Sequence, residues 1–262
     1  MAVELDVSQG VLLRPGEGET VTDRAERTVR ILCAHELMDA TWSRYEPREE
    51  GPEPHVHHEH VDSFFVLEGE LVFELGRAAQ KRVVATPGTF VSVPQEVVHT
   101  FRNEGAVRAT FLNFHTPSGG FAAHLRGDDD AFDGDEPPAG GGRDAGAAIV
   151  SPPGDGERLD RGDRVLVIKA ELPEISAFDS SFEHGWEGVD PHVHRDHLDS
   201  FFVLGGEGDF LRGDETRRAG MGAFVAVPPG IRHGFANPGP GTLRVLNVHA
   251  PDAGTAAAFA RR

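Results

Sequence analysis

One histidine-rich stretch occurs twice in the chain, and this duplication constrains the fold more than any other feature. The first copy, HVHHEHVDSFFVLEG, runs from His55 to Gly69, and the second, HVHRDHLDSFFVLGG, runs from His192 to Gly206. Both copies read His-x-His, four residues, Asp, six residues and Gly. A chain of 262 residues is long enough for two small domains, so the repeat predicts a tandem duplication.

A second segment is repeated downstream of each histidine-rich stretch. GTFVSVPQEVVHTFRN begins at Gly88, and GAFVAVPPGIRHGFAN begins at Gly222. Both fit Gly, five residues, Pro, four residues, His, three residues and Asn. Glycine and proline at fixed places mark turns, and the apolar runs between them are rich in the β-branched and aromatic residues typical of strands. The chain is therefore expected to be strands and turns twice over, with almost no helix.

The His-x-His pairs predict a metal site in each repeat. Residues i and i+2 on a strand point to the same side, so His55 and His57 present two imidazoles to one face, as do His192 and His194. Imidazole nitrogen with a carboxylate oxygen suits zinc, copper, iron, nickel or manganese. Solvated surface histidines are the alternative, but duplication together with the downstream Asp and Gly argues against it.

The two segments together resemble the two sequence motifs of the cupin superfamily. The second repeat matches the second motif at every defined position, and the first has Glu96 where the motif has its second glycine; the matching residues of the second repeat are Gly222, Pro228, Gly230, His233 and Asn237. The resemblance implies an all-β fold of two tandem antiparallel jelly-roll (cupin) barrels. Two-barrel members of the family resemble a dimer of single barrels fused by duplication.

The resemblance also implies one divalent transition metal in each barrel, drawn from Fe, Mn, Ni, Cu, Co and Zn. By resemblance the ligands are His55, His57, Asp62 and His99 in the first barrel and His192, His194, Asp199 and His233 in the second. The family usually has Glu where this chain has Asp62 and Asp199, and Asp is one methylene shorter. Each Asp is therefore either a ligand or a catalytic base beside the metal. His60 and His197 are further candidates, as ligands, as partners of ligands or as loop residues.

The predicted domains are a first cupin barrel at residues 11–126, an acidic linker rich in glycine and proline at 127–148, and a second cupin barrel at 149–262. The linker is almost free of apolar residues, which is typical of a mobile connection. The alternative is an arm that lies across a barrel and uses Phe132 as an anchor.

The last strand of each repeat carries an Asn and a His two residues apart. Asn113 and His115 recur as Asn247 and His249. Two-residue spacing places each pair on one face of its strand. They line the cavity or lie in a contact between the barrels, and the sequence leaves both alternatives open.

Composition excludes several classes of partner. The net charge of −18 disfavours nucleic acid and anionic membranes, and no apolar run approaches the roughly 20 residues that span a bilayer. The single cysteine, Cys33, excludes an internal disulfide, and the N-terminus lacks the pattern of a signal peptide, which fits a cytoplasmic protein. The expected partner is a small-molecule substrate, and the chain is expected to be a monomer with an internal pseudo-dimer, or a homodimer.

The ligand count favours catalysis over a structural metal. Three histidines and a carboxylate leave two positions of an octahedron open for substrate and for water or dioxygen. Aromatic residues surround the motifs and few Lys or Arg flank them, which resembles the quercetinase-like two-barrel dioxygenases. The leading hypothesis is a metal-dependent oxygenase acting on a small aromatic or enolic substrate. The alternatives are an isomerase or decarboxylase on the same site, and a non-catalytic small-molecule-binding cupin.

Overall fold

The computed structural model describes residues 6–128 and 132–261, and it forms two compact units. The first unit, Glu19–Gly154, is called the first barrel. The second barrel takes the described residues up to Gly18 together with the chain from Asp155 onwards. Each unit is a pair of antiparallel sheets of seven and three strands, so the predicted all-β fold of two jelly-roll barrels is confirmed.

The first strand of the chain, β1 (Val11–Leu13), lies in the second barrel. The first barrel is formed by β2 (Glu19–Asp23), β3 (Arg27–His35), β4 (Met38–Tyr45), β5 (Val61–Glu68), β6 (Leu71–Leu75), β7 (Lys81–Ala85), β8 (Phe90–Val93), β9 (His99–Arg102), β10 (Ala109–Thr116), the helix α1 (Phe121–Leu125) and β11 (Ile149–Ser151). The larger sheet has the order β11-β8-β5-β10-β4-β3-β2, and the smaller has the order β7-β6-β9.

The second barrel repeats this arrangement. Its further elements are β12 (Arg158–Asp160), β13 (Arg164–Leu172), β14 (Ile175–Phe182), β15 (Leu198–Gly205), β16 (Glu207–Arg212), β17 (Glu215–Gly220), β18 (Phe224–Val227), β19 (His233–Ala236), β20 (Leu243–Ala250) and the helix α2 (Thr255–Arg261). The larger sheet has the order β1-β18-β15-β20-β14-β13-β12, and the smaller has the order β17-β16-β19. No helix among the described residues is long and apolar enough to cross a membrane.

Two short strands are exchanged relative to the predicted domain boundaries. Strand β1, predicted within the first barrel at 11–126, pairs with β18 of the second barrel, with Val11 opposite Ala226. Strand β11, predicted within the second barrel at 149–262, pairs with β8 of the first, with Ile149 opposite Ser92. The two strands are equivalent in the repeat, and each covers an otherwise exposed edge of a larger sheet. Nothing local to the strand therefore reveals which edge it joins.

Within the segment predicted as a mobile linker, 127–148, residues 132–148 instead have contacts with the first barrel. Val56 and Asp135 form an isolated antiparallel bridge with hydrogen bonds of 3.0 Å in both directions. Ala145 and Ala148 are buried in the core of the first barrel. These contacts fit the alternative of an arm that lies across a barrel. The main-chain hydrogen bonds among them leave no apolar pattern in the sequence that would have indicated them. Residues 129–131 of the predicted linker lie outside the described residues.

Strand register places a polar layer beside an aromatic core in the first barrel. Asp62 and Phe64 share one face of β5, and across the ladder to β10 they lie opposite His115 and Asn113 respectively. Directly opposed residues present their side chains to the same face of a sheet, so these four face the barrel interior together. Below them the Phe64 ring packs against Phe73 and Phe101 at centroid distances of 4.9 and 4.8 Å.

Candidate metal centre

The four predicted side chains of the first barrel converge on one point. The ligand atoms of His55, His57, Asp62 and His99 all lie within 4.8 Å of one another. Backbone hydrogen bonds of 3.0 and 2.9 Å between His55 and His99 join the loop before β5 to the start of β9. The Asp62 Oδ2 atom lies 3.2 Å from Nε2 of His99 and 3.8 Å from Nε2 of His57. Three imidazoles and one carboxylate in this arrangement are a donor set that suits a divalent transition metal.

Each of the three imidazoles is oriented through its Nδ1 atom. A ring whose Nδ1–H donates to a main-chain carbonyl keeps Nε2 as the ligating nitrogen. The three pairs are His55 with the Glu53 carbonyl at 2.9 Å, His99 with the Val97 carbonyl at 3.0 Å, and His57 with the Asp133 carbonyl at 2.5 Å. The buried Nε2 of His57 has no hydrogen-bond partner among the described residues. Buried nitrogens normally have a partner, so this one fits a metal ligand.

The Asp62 carboxylate is held by the pair on β10. Asn113 Nδ2 donates to Asp62 Oδ1 at 2.5 Å and to the Ser63 carbonyl at 3.1 Å, and His115 Nε2 lies 3.6 Å from the same Oδ1. Oδ2 is thereby left to face the histidines. Burial alone would raise the pKa of Asp62, but the imidazoles of His115, His57 and His99 beside the carboxylate outweigh it and hold that pKa well below its usual value.

Asn113 and His115 line the cavity of the first barrel, which answers the question that the sequence left open. Their recurrence in both repeats was the signal for a role. The side chains that reach the site from α1 and from the segment after it carried no such signal. They are Phe121, His124, Phe132 and Asp133.

His60 is close to the ligands but already has its hydrogen-bond partners. His57, His60 and His115 form a second buried group of potential ligand atoms within 4.8 Å. His60 Nδ1 donates to Asp133 Oδ2 at 2.8 Å, and its Nε2 shares a hydrogen bond of 2.8 Å with His115 Nδ1. Burial, aided by the nearby His57, lowers the pKa of His60 to about 4, so the ring is neutral near pH 7. His60 is therefore a hydrogen-bond partner of His115, which lies beside Asp62.

The second barrel brings together the three equivalent histidines but arranges the acid differently. The ligand atoms of His192, His194 and His233 lie within 4.8 Å of one another, and Asp199 is outside this set. Asp199 Oδ2 lies 3.4 Å from His233 Nε2 and 3.8 Å from His194 Nε2. Its Oδ1 accepts a hydrogen bond of 2.6 Å from Asn247. These distances are close to those of Asp62 in the first barrel, and Asp199 differs in not lying within 4.8 Å of every ligand atom of its group.

His249 and His197 take different partners from their counterparts in the first barrel. His249 Nε2 lies 3.1 Å from Asp199 Oδ1, and its Nδ1 is bonded to Thr255 Oγ1 at 2.9 Å. His197 Nδ1 lies 3.3 Å from Asp196 Oδ1, and its buried Nε2 has no hydrogen-bond partner among the described residues. The chain of hydrogen bonds that links His60 to His115 in the first barrel is thus not repeated between these described side chains.

A cavity opens over each histidine group. The first has a volume of about 440 Å³ and includes His55, Asp62 and His115 together with the aromatic rings of Phe121 and Phe132. The second has a volume of about 710 Å³, and its lining includes His192, His194, His197, Trp186, Arg164 and Phe259. The first cavity is the smaller, and residues after α1 form part of its wall.

The fold and the paired histidine groups define a two-barrel β protein with one potential metal centre in each barrel. The family model that describes the cupin domain matches residues 41–115 and 178–249, which together are more than half of the chain. The chain therefore belongs to the cupin family. The search of curated proteins found no significant match.

Solved structures show the same fold at low identity. Protein Ylba from E. coli aligns with a TM-score of 0.69 at 11% identity, covering 96% of this chain and 93% of that one. A putative glyoxylate induced protein from Pseudomonas aeruginosa aligns with a TM-score of 0.64 at 16% identity, covering 87% and 83%. The oxalate decarboxylase of Lactobacillus farciminis, in a formate complex, aligns with a TM-score of 0.62 at 14% identity, covering 92% and 86%. These similarities extend over both barrels and show the fold alone.

Proposed function

We propose that the chain is a metal-dependent cupin enzyme, an oxygenase of the quercetinase-like type that acts in the first barrel on a small aromatic or enolic substrate. The observation that carries the proposal is the first cavity. It is about 440 Å³, it includes two of the potential ligands, His55 and Asp62, and its wall includes the rings of Phe121 and Phe132. A small planar substrate fits a cavity of this size between aromatic walls.

The charges around this cavity favour a substrate with little charge beyond one acidic oxygen. Arg27 is the only Lys or Arg among the described lining residues. Its Nε donates to Glu49 Oε1 at 2.8 Å, and its guanidinium lies 4.3 Å from the centroid of Tyr45. Because this cation is already paired, it offers little to a phosphate or a dicarboxylate. An enol or phenol needs only the metal as a partner for its oxygen.

The residues of the first barrel suggest how the reaction would be divided. His55, His57, His99 and Asp62 would hold the metal, which would supply a Lewis acid for the ionised oxygen of the substrate. The lowered pKa of Asp62 makes its carboxylate a weak base, which favours the role of ligand over that of catalytic base. The substrate would therefore enter with an acidic hydroxyl that ionises readily. Phe121 and Phe132 would orient its ring and exclude water.

The test is oxygen consumption with flavonols, β-diketones and catechols, before and after removal of metal by a chelator. We expect uptake that depends on metal and on the first barrel, with both oxygen atoms recovered in the cleaved product. The variant His57→Ala should abolish uptake, whereas His194→Ala should leave at least the activity of the first barrel. Metal-loaded protein that binds these compounds without consuming oxygen would instead support a non-catalytic cupin.

A decarboxylase acting in the second barrel is the second candidate. Arg164 lines the larger cavity of about 710 Å³ together with His192 and His194. Its Nη1 pairs with Asp163 Oδ1 at 3.2 Å, and the other donors of its guanidinium would be available to a substrate carboxylate in this cavity. The test is release of carbon dioxide from small carboxylic acids without oxygen, comparing Arg164→Ala with Arg158→Ala, an exposed arginine paired with Asp160. Equal release by the two variants would show that Arg164 does not bind the carboxylate of the substrate.

A further inference from the structure

We propose that the segment Phe132–Asp135, called the arm, positions the ligands of the first barrel and makes its metal site tighter than that of the second barrel. The arm comes from the segment between the repeats. Its main-chain hydrogen bonds join it to residues of the first barrel. Asp133 is the central positioning residue. The inference rests on the proposed metal centre but not on the reaction that the centre catalyses.

The two sites differ at the second histidine of each His-x-His pair. In the first barrel the Asp133 carbonyl accepts from His57 Nδ1 at 2.5 Å, so that the ring is fixed with Nε2 towards the other ligands. No residue described in the structure bonds to Nδ1 of the equivalent His194. Its Nε2 instead lies 3.2 Å from Nε2 of His192. One of the three rings of the second site therefore lacks the main-chain acceptor that orients all three rings of the first site.

The Asp133 carboxylate also fixes the residues that follow His57. It accepts hydrogen bonds from the main-chain nitrogens of His58 at 3.1 Å and Glu59 at 2.7 Å, and from His60 Nδ1 at 2.8 Å. Hydrogen bonds to an ionised carboxylate are stronger than those between neutral groups. One side chain from the arm therefore immobilises the loop between two of the predicted ligands, His57 and Asp62.

The arm has its own anchors, and one of them explains a departure from the family motif. Glu96 stands where the second barrel has Gly230, and its φ of 65° is in the left-handed region that favours glycine. Its carboxylate lies 2.6 Å from His58 Nδ1, and His58 Nε2 lies 3.1 Å from Asp135 Oδ2. The strained backbone at Glu96 therefore accompanies two hydrogen bonds in series, from Glu96 to His58 and from His58 to Asp135 of the arm.

Phe132 excludes solvent from the same side of the site. Its ring centroid lies 5.5 Å from that of His57 and 4.6 Å from that of His124, on which it stacks. The His57 side chain is 2% exposed, whereas the equivalent His194 is 23% exposed. A ligand that is oriented, shielded and held on both sides loses less freedom when the metal binds, so the first site is preorganised.

The experiment measures the affinity of each site for cobalt(II) separately. In the background His192→Ala, His194→Ala only the first site is read, and in His55→Ala, His57→Ala only the second. Adding Asp133→Ala removes the carboxylate that holds the ligand loop but keeps the main-chain carbonyl that accepts from His57, so it should weaken binding at the first site by about 10-fold. The visible absorption of the bound cobalt(II) should change as well, because the ligand geometry relaxes. Binding at the second site should stay as it was.

Glu136→Ala is the matched control, since it removes an exposed acid next to the arm that has no hydrogen bond to the ligand loop. Asp133→Asn keeps one acceptor oxygen and should fall between wild type and Asp133→Ala. The thermal midpoint of the metal-free variants checks that each is folded. If wild type binds cobalt(II) at the first site and Asp133→Ala binds it equally well with the same spectrum, the Asp133 carboxylate has no positioning role and the proposal is wrong. If wild type does not bind cobalt(II) at this site, the proposed metal centre itself is wrong.

Discussion

At the scale of single residues, Asp62 and Asp199 lie at similar distances from two histidines of their barrels, 3.8 and 3.2 Å for Asp62 and 3.8 and 3.4 Å for Asp199. Only Asp62 lies within 4.8 Å of all three histidine ligand atoms of its barrel. We therefore expect Asp62→Ala to weaken metal binding at the first site more than Asp199→Ala weakens it at the second. Metal titrations of each variant, in a background that retains only the site being read, measure the two losses.

Asn113→Ala serves as the companion variant to Asp62→Ala, because Asn113 holds Asp62 without being a potential ligand. We expect an intermediate loss of affinity, of about 10-fold, since the carboxylate would still be present but less well oriented. Equal losses in Asp62→Ala and Asp199→Ala would show that the different placement of the two acids has no energetic consequence.

Acidification is predicted to empty the second site before the first. Burial, with the nearby His99 and His57, lowers the pKa of His55 to about 3, so this ring stays neutral and able to ligate down to that pH. Burial also opposes the charged form of His233, but the hydrogen bond and charge of Asp199 outweigh it and raise its pKa above the usual value of 6.5. Protons then compete with metal at His233 already near neutral pH.

The measurement is metal release from each single-site background between pH 8 and pH 4. The expected order is a midpoint at higher pH for the second site. The two backgrounds control for each other, because both lack one pair of histidines. Release from the first site at the higher pH would contradict the assignment of the stronger proton competitor to His233.

At the scale of elements, the exchanged strand β1 covers an edge of the second barrel's larger sheet. Val11 is buried, Leu12 packs against the core of that barrel, and Arg212 donates to the Gly10 carbonyl at 2.6 Å. Deleting residues 1–13 should therefore expose β18 and destabilise the second barrel, while the first barrel keeps β11 on the equivalent edge. Burial of two such side chains is worth about 3–6 kcal/mol at most.

Hydrogen exchange of the main-chain amides checks this prediction within one molecule. Protection of β18 should fall in the deletion variant, and β8 of the first barrel is the internal control. Equal loss of protection in both strands would mean that β1 stabilises more than its own sheet. Unchanged protection in β18 would mean that the strand contributes nothing to its barrel.

Some features of the fold and of the site could be predicted from the sequence and others could not, for physical reasons. The strands and the histidine positions follow from local patterns, because alternation and motif spacing act over a few residues. The exchange of β1 and β11 does not, because the two strands have the same sequence context. The contacts of Asp133 also could not be foreseen, since they join residues 73 to 76 positions apart through polar groups that leave no periodic pattern.

At the scale of the whole molecule, the chain should bind two metals of unequal affinity. Each barrel brings three histidines together, but only the first adds an acid within the set and an arm across it. A titration of metal-free protein should reach a stoichiometry near two per chain in two steps, the first belonging to the first barrel. Metal at about 100 times its Kd stabilises a barrel by about 2.7 kcal/mol, so two thermal transitions should shift in turn. Saturation at one metal per chain would mean that one site does not bind.

The exchange of β1 also sets the order in which a nascent chain can fold. The first barrel has all its strands once Ser151 has left the ribosome. Strand β1 precedes the other described strands, yet its partner β18 ends at Val227, more than 200 residues later. At 5–20 residues per second, the segment Val11–Leu13 waits roughly ten to forty seconds with its apolar side chains unpaired. During that interval it is open to binding by chaperones, and the second barrel can acquire its edge strand only after β18 has been made.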